Sequence, residues 1–318
     1  MPASPLANPT ATRQMLERFG LATKHRLGQN FLVDDNVIAK ILDLANLDET
    51  SRVLEVGPGI GTLTLGMLPH AGSVTSIEAD RELEPVLADL GHAFPNFSYV
   101  MGDALRVGWG EVCAATAAAL ADNGSDRGAS ETPAAEAGGR TLARAVDPNI
   151  LVANLPYNVA ATIILKYLSE RPSLDAEVVM VQAEVADRIC ARPGSKAYGA
   201  YTAKLALFGE VTGRFEVPPT CFMPAPHVNS AVVRIARTSM PDPKTGELLS
   251  PGRIARTCEV IDAAFAQRRK TIRNSMAARG FEKAVLDEAF ARTGIAPTAR
   301  AETLPPIDFV RLSGALGA

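Results

Sequence analysis

The stretch that most limits what this chain can fold into is Arg52-Val53-Leu54-Glu55-Val56-Gly57-Pro58-Gly59-Ile60-Gly61. A mostly apolar strand runs directly into alternating glycines, and a helix is predicted from Thr62 to Leu68. That is the strand, glycine turn and helix of a nucleotide-binding α/β unit. The glycines let the backbone come close to a ligand, and the start of the helix offers free N–H groups. The spacing is Gly-x-Gly-x-Gly, not the Gly-x-Gly-x-x-Gly of dinucleotide binders.

Further strands are predicted at Val74–Ile77, Phe97–Met101, Ile150–Ala153 and Glu177–Val181, with helical stretches between them. The fold class expected is therefore α/β with a mostly parallel sheet. Two acids stand at successive strand ends. Glu78 lies roughly 20 residues past the first glycine, where an acid grips a ribose diol. Asp103 follows the third strand in Gly102-Asp103-Ala104. A glycine loop, then a ribose acid, then an acid near an adenine edge is the order expected for S-adenosylmethionine. A nicotinamide dehydrogenase with a degenerate loop remains the other reading of these residues.

The fourth strand ends in Asn154-Leu155-Pro156-Tyr157. An amide, a proline and an aromatic at the carboxyl end of a buried strand suit a ligand better than a core, because open α/β sheets bind ligands there. Asn154 offers an amide oxygen, Leu155 its carbonyl, Tyr157 a flat π-face, and Pro156 stiffens the turn. Together they can hold a planar base that carries an amino group. A strand-ending turn capped by Asn154 is the plainer alternative.

Composition narrows the class. A chain of 318 residues, 47% of them apolar, forms one large domain or two. No apolar run reaches the ~20 residues of a membrane span. Met1 to Thr12 has no charged segment followed by an apolar one, so no secretory signal is expected. Cys113, Cys190, Cys221 and Cys258 are scattered, without zinc-site or disulfide spacing, which fits a reducing cytoplasm and no metal. A formal net charge of −3 means that any nucleic-acid role must rest on local basic patches.

Residues 1–12 are Pro/Ala-rich and expected to be a disordered tail. Residues 110–146 form a low-complexity excursion, with a helix over Glu111–Ala121 and a flexible stretch from Asp122 to Arg140. Phe222 lies among prolines, expected either as a rigid base-stacking platform on a rim or as a core plug. Pro241 to Gly252 reads as a hinge between domains. Beyond Arg253 the text is helical, and Gln267-Arg268-Arg269-Lys270-Thr271-Ile272-Arg273-Asn274 is its densest basic run. That run is either a phosphate-contacting patch or a solvated helix face.

Taken together, these segments resemble the ribosomal RNA adenine N6-dimethyltransferase family, on its bacterial small-subunit side. The residues that carry the likeness are Leu27-Gly28-Gln29-Asn30-Phe31-Leu32, Glu55 to Gly61, Glu78, Gly102-Asp103-Ala104, Asn154 to Asn158, and Phe222-x-Pro224-x-Pro226-x-Val228-x-Ser230. Phe265-x-Gln267-Arg268-Arg269-Lys270 and Arg300-Ala301-Glu302-x-Leu304 add to it. The resemblance implies a Rossmann-like S-adenosylmethionine-dependent methyltransferase domain over 13–240 and a small all-helical RNA-binding domain over 253–318. It implies that Gln29, Asn30, Leu32, Gly57, Gly59, Glu78, Asp103 and Asn154 hold S-adenosylmethionine. Asn154, Leu155, Pro156, Tyr157 and Phe222 would serve the transfer, and Arg268, Arg269, Lys270 and Arg273 would contact RNA. The implied partner is 16S ribosomal RNA in an immature small subunit, met by a cytoplasmic monomer. The implied reaction is dimethylation of two adjacent adenines near the 3′ end. Large-subunit dimethyltransferases of the macrolide-resistance type, and a mainly non-catalytic assembly factor, are the competing readings. Ala160-Ala161 and Ala183 depart from the family pattern, which has a hydroxyl residue and a lysine there.

Overall fold

A computed structural model describes residues 2–21, 30–125 and 146–317. Gln29 and most of the flexible stretch expected over Asp122 to Arg140 lie outside the described residues, but Asp122 to Ser125 are helical rather than flexible. The chain divides into two compact units, Met1–Ala183 with Thr212–Ala236, and Glu184–Val211 with Arg237–Ala318.

The first unit is built on a sheet. The sheet's strands are β2 (Arg52–Val56), β3 (Ser73–Glu78), β4 (Phe97–Met101), β5 (Ile150–Asn154), β6 (Ala176–Gln182), β7 (Gly209–Val217, in this unit from Thr212) and β9 (Ser230–Arg237, in this unit to Ala236). They lie in the order β4-β3-β2-β5-β6-β9-β7. The first five are parallel, and β9 runs antiparallel to β6. Every residue of β3 is buried, and so are most of β2, β5 and β6. Strands covered on both faces favour apolar side chains, which is why β5 and the centre of β6 read as continuous apolar runs, whereas β3 buries Ser73, Thr75, Ser76 and Glu78 as well.

Helices α2 (Asp35–Ala45), α3 (Thr62–Met67), α4 (Glu84–Ala93), α5 (Trp109–Ser125) and α6 (Ala160–Glu170) connect the strands. Asp34 caps α2 by accepting from the Asn36 and Val37 amides, and Asn46 ends it in the left-handed region. Ile38 and Ile41 of α2 join Met67, Val53, Val74 and Val152 in the main core.

The amino-terminal segment is not the disordered tail expected over 1–12. The Asp35 carboxylate accepts from the Ala3 and Ser4 amides at 3.0 and 2.9 Å, and the Ser4 hydroxyl donates to the Thr62 carbonyl at 2.7 Å. Asn8 caps α1 (Pro9–Arg18), whose Leu16 packs with Leu6, Phe31, Ile60 and Leu83. Small Pro/Ala-rich composition suggests disorder only while the docking partners, over 20 residues away, go uncounted.

The second unit contains α7 (Ala183–Ile189), α8 (Ala200–Leu205), α9 (Pro251–Phe265), α10 (Ile272–Ala277), α11 (Lys283–Thr293) and α12 (Pro306–Ala315). Its core gathers Tyr198, Val260, Ile261, Met276, Phe290 and Phe309, and the Tyr198 hydroxyl donates to the Leu304 carbonyl at 2.9 Å. This unit takes in residues 184–211 as well as the helical stretch expected over 253–318. Pro241 to Gly252 therefore lies wholly within it and is no hinge between domains. Pro241 bridges Leu248, Asp242 pairs with Arg253 at 3.4 Å, and Leu249 is buried.

Asp35→Ala leaves two backbone donors without their acceptor. It is expected to cost about 1–3 kcal/mol, read as a lower urea midpoint with an unchanged slope.

Candidate active site

After β2 the chain moves outward through β3 and β4, then crosses back to place β5 against the other side of β2. Such a reversal opens a crevice at the carboxyl ends of the two central strands, where ligands of α/β sheets bind. Val53 and Leu54 pair with Ile150 and Leu151. That register sets the glycine turn beside the Asn154 turn: a β-carbon on Gly57 would lie 3.7 Å from the Pro156 ring. A cavity of about 320 Å³ occupies the crevice.

The turn itself requires glycine. Gly59 has φ +60°, and a β-carbon there would sit 3.1 Å from the Phe31 ring. At Gly61 (φ +85°) it would meet Leu90 at 2.6 Å. The turn can pack this closely against Phe31 and Leu90 only because it carries no side chains there.

Four carboxyl groups line the cavity: Glu55, Glu78, Asp80 and Asp103. Among the described residues that line it there is no lysine, arginine or histidine. Glu78 ends β3 and is 7% exposed. Its carboxylate accepts from the Gly59 amide at 3.2 Å and the Asp80 amide at 2.9 Å, so it is bonded directly to the glycine turn. Burial pushes its pKa above the ordinary carboxylate value, against those two amide bonds. Asp103 is more open and accepts from the Leu105 amide at 2.9 Å. Glu55 is 1% exposed, and burial pushes its pKa up to about 7. Hydrogen bonds from Ser76 and Thr64 pull it down, and the charge of Glu78 adds to the rise. Among the described residues no three His, Cys, Asp or Glu gather as metal ligands would.

The turn after β5 is held at several points. The Leu155 amide donates to the Met180 carbonyl at 3.1 Å, and the Pro156 carbonyl accepts from the Val159 and Ala160 amides. The Tyr157 hydroxyl is 2.7 Å from the Ser230 hydroxyl, fixing a half-buried ring at the cavity wall. The Asn154 amide donates from Nδ2 to the Asn30 carbonyl at a long 3.5 Å, which turns Oδ1 to the other edge of the amide. No side chain caps α6, so Ala160 and Ala161 leave this turn to backbone bonds and the Tyr157–Ser230 pair.

The structure thus brings Asn30, Leu32, Gly57, Gly59, Glu78, Asp103, Asn154, Leu155, Pro156 and Tyr157 around one cavity. Gln29 lies outside the described residues. Phe222 is not the exposed platform that its prolines suggested. It is 4% exposed, pairs with Leu32 between the short strands β1 (Phe31–Leu32) and β8 (Phe222–Met223), and belongs to the main core. Its partner strand lies some 190 residues upstream, beyond the reach of a local reading. In the second unit Arg268, Arg269 and Lys270 are exposed, whereas Arg273 pairs through two nitrogens with Asp287 at 2.5 and 2.6 Å. Sequence reasoning missed Glu55, Thr62 and Asp80 as lining residues. For Glu55 a signal was present, since an acid in the middle of a buried strand needs a reason to be there.

The sequence profile described as ribosomal RNA adenine dimethylase matches residues 20–316. The chain belongs to that family. Among its relatives, the ribosomal RNA small subunit methyltransferase A of Nocardia farcinica is 38% identical over 309 residues, covering 97% of this chain and 94% of that protein. The protein of the same name from Anoxybacillus flavithermus is 36% identical over 312 residues, covering 97% and 95%. A dimethyladenosine transferase from Plasmodium falciparum shares the fold at a TM-score of 0.66, with 22% identity over 89% of this chain and 95% of that one. The fold of this dimethylase-family chain is that of S-adenosylmethionine-dependent methyltransferases.

Glu55 makes the stability of this family member depend on pH. Between about 4.5 and about 7 the folded carboxyl keeps a proton that the unfolded one has released. Its contribution is therefore full below that window and lost as pH rises through it. The ligand-free protein is expected to melt at a lower temperature at about pH 8 than at about pH 6, and Glu55→Gln to shrink the difference. Thermal unfolding followed by circular dichroism checks both.

Proposed function

We propose that the protein transfers methyl groups from S-adenosylmethionine to N6 of adenines in small-subunit ribosomal RNA. The observation that carries this reading is the cavity itself. An acid-lined wall without a described cation meets, at one crevice, a turn that presents two oxygen acceptors. An NAD pyrophosphate would carry negative charge into that wall, whereas S-adenosylmethionine brings a sulfonium and an ammonium. The small-subunit name of the relatives supports the choice of RNA.

S-adenosylmethionine supplies a methyl group already activated by positive sulfur. Glu78 accepts the ribose hydroxyls, Asp103 takes the adenine amino group, and Gly57 and Gly59 leave room for the chain between them. Adenine N6 is a weak nucleophile because its lone pair is delocalised into the ring. Asn154 Oδ1 and the Leu155 carbonyl accept its two hydrogens and favour the pyramidal amine that attacks in line. Charge growing on that nitrogen then meets dipoles already in place. Tyr157, braced by Ser230, gives the swung-out base a stacking face. No strong base is needed, since the proton can leave after the methyl group arrives. The finer reading is dimethylation of two adjacent adenines near the 3′ end of 16S RNA in an immature subunit, by a cytoplasmic monomer. Arg268, Arg269 and Lys270 supply phosphate contacts; the Asp287 pair makes Arg273 the weaker candidate.

Asn154→Ala is expected to abolish transfer while S-adenosylmethionine binding weakens but stays measurable. Tyr157→Ala should cost about 1–3 kcal/mol of RNA binding, seen as a raised KM for RNA. Removing Lys270 should lower the salt dependence of RNA binding by about one unit of slope. The deciding experiment incubates the protein with labelled S-adenosylmethionine and unmethylated small subunits, large subunits or DNA, then maps the label. Label on small-subunit adenines is the expected result. Label confined to large subunits or DNA contradicts the reading.

A further inference from the structure

Glu55 lines the cavity, yet in the arrangement above it grips neither ribose nor adenine. Its position is tightly built. It lies in β2 opposite Ser76 of β3, and its Oε2 accepts from the Ser76 and Thr64 hydroxyls, each at 2.7 Å. Two donors from two neighbouring elements converge on one oxygen, and none of the described hydrogen bonds reaches Oε1.

A carboxylate buried this deeply is costly unless positive charge offsets it. The charged groups around the cavity offer none. Glu78 at the end of β3, Asp80 just after it and Asp103 beyond β4 are all acids. Thr64 of α3 and Asn154 of β5 are neutral. Among the described lining residues the compensating charge can come only from the ligand.

We propose that Glu55 lets the cavity distinguish the methyl donor from its demethylated product by charge. Glu55 is ionised beneath the cationic donor and protonated when the uncharged thioether product occupies the same cavity. This deepens the S-adenosylmethionine reading and rests on it. The positive charge leaves the cavity with the methyl group, and the amine sheds it as a proton. Glu55 takes one proton from solvent, and returns it when a new donor enters. Its pKa of about 7 fits a group that either ligand can tip. At higher pH the product is then held less well relative to the donor, so product inhibition falls.

The test is titration calorimetry of S-adenosylmethionine and S-adenosylhomocysteine on the full chain, from about pH 6 to about pH 8.5, in two buffers of different ionisation enthalpy. Wild-type protein should take up more protons with the product than with the donor. The ratio of product to donor Kd should rise with pH, by at most about tenfold per unit for a one-proton linkage. In Glu55→Gln the part of the product-to-donor difference that Glu55 contributes should vanish, leaving the dependence due to Glu78 and to the ligands' own amino groups. Equal pH slopes and equal proton uptake in wild type and variant overturn the proposal. Should Glu55→Gln fail to fold, Ser76→Ala removes one donor to the carboxylate and must move the wild-type midpoint upward; an unmoved midpoint overturns the proposal. Failure of either ligand to bind wild-type protein instead removes the S-adenosylmethionine reading, and Glu55's role with it.

Discussion

Parallel pairing of β2 with β5 is the constraint on which the rest of the site depends. It joins Val53 to Ile150 across nearly a hundred residues of chain. Through it the glycine turn and the Asn154 turn become neighbours, with Gly57 against Pro156. One turn admits the backbone of a bulky ligand, and the other presents oxygen acceptors. Neither does chemistry alone. In the proposed reading a methyl donor and an amino group meet where the two strands end side by side, a place that the reversal of strand order sets.

Charge then decides what fits. A glycine turn in an α/β sheet is compatible with many nucleotides, and its geometry does not choose among them. The wall around this one carries Glu55, Glu78, Asp80 and Asp103. Burial raises Glu55 and Glu78 above their ordinary pKa values, and no described lysine, arginine or histidine lines the cavity beside them. A ligand with fixed positive charge relieves that cost, and a dinucleotide adds to it.

Much of this was legible in the residues. Gly57, Glu78, Asp103 and Asn154 each stand at or just past the end of a strand, and a strand end is a local feature that a sequence displays. What escaped was non-local. Phe222 sits among prolines that suggest a rim, but β8 pairs with β1 and draws its ring into the core beside Leu32. The first dozen residues look unstructured until Asp35 is seen to hold Ala3 and Ser4. The break between units was misplaced for the same reason: residues 184–211 carry no mark that assigns them to the helical unit. Glu55 lies within the glycine motif, but what holds it there, the Ser76 and Thr64 hydroxyls, comes from other elements.

Equilibrium binding to the ligand-free protein tests the central claim most directly, with S-adenosylmethionine and NAD titrated separately under the same conditions. An acid-lined cavity at the β2–β5 crevice predicts that S-adenosylmethionine binds at one site per chain and that NAD does not compete for it. Preferential binding of NAD would contradict the account.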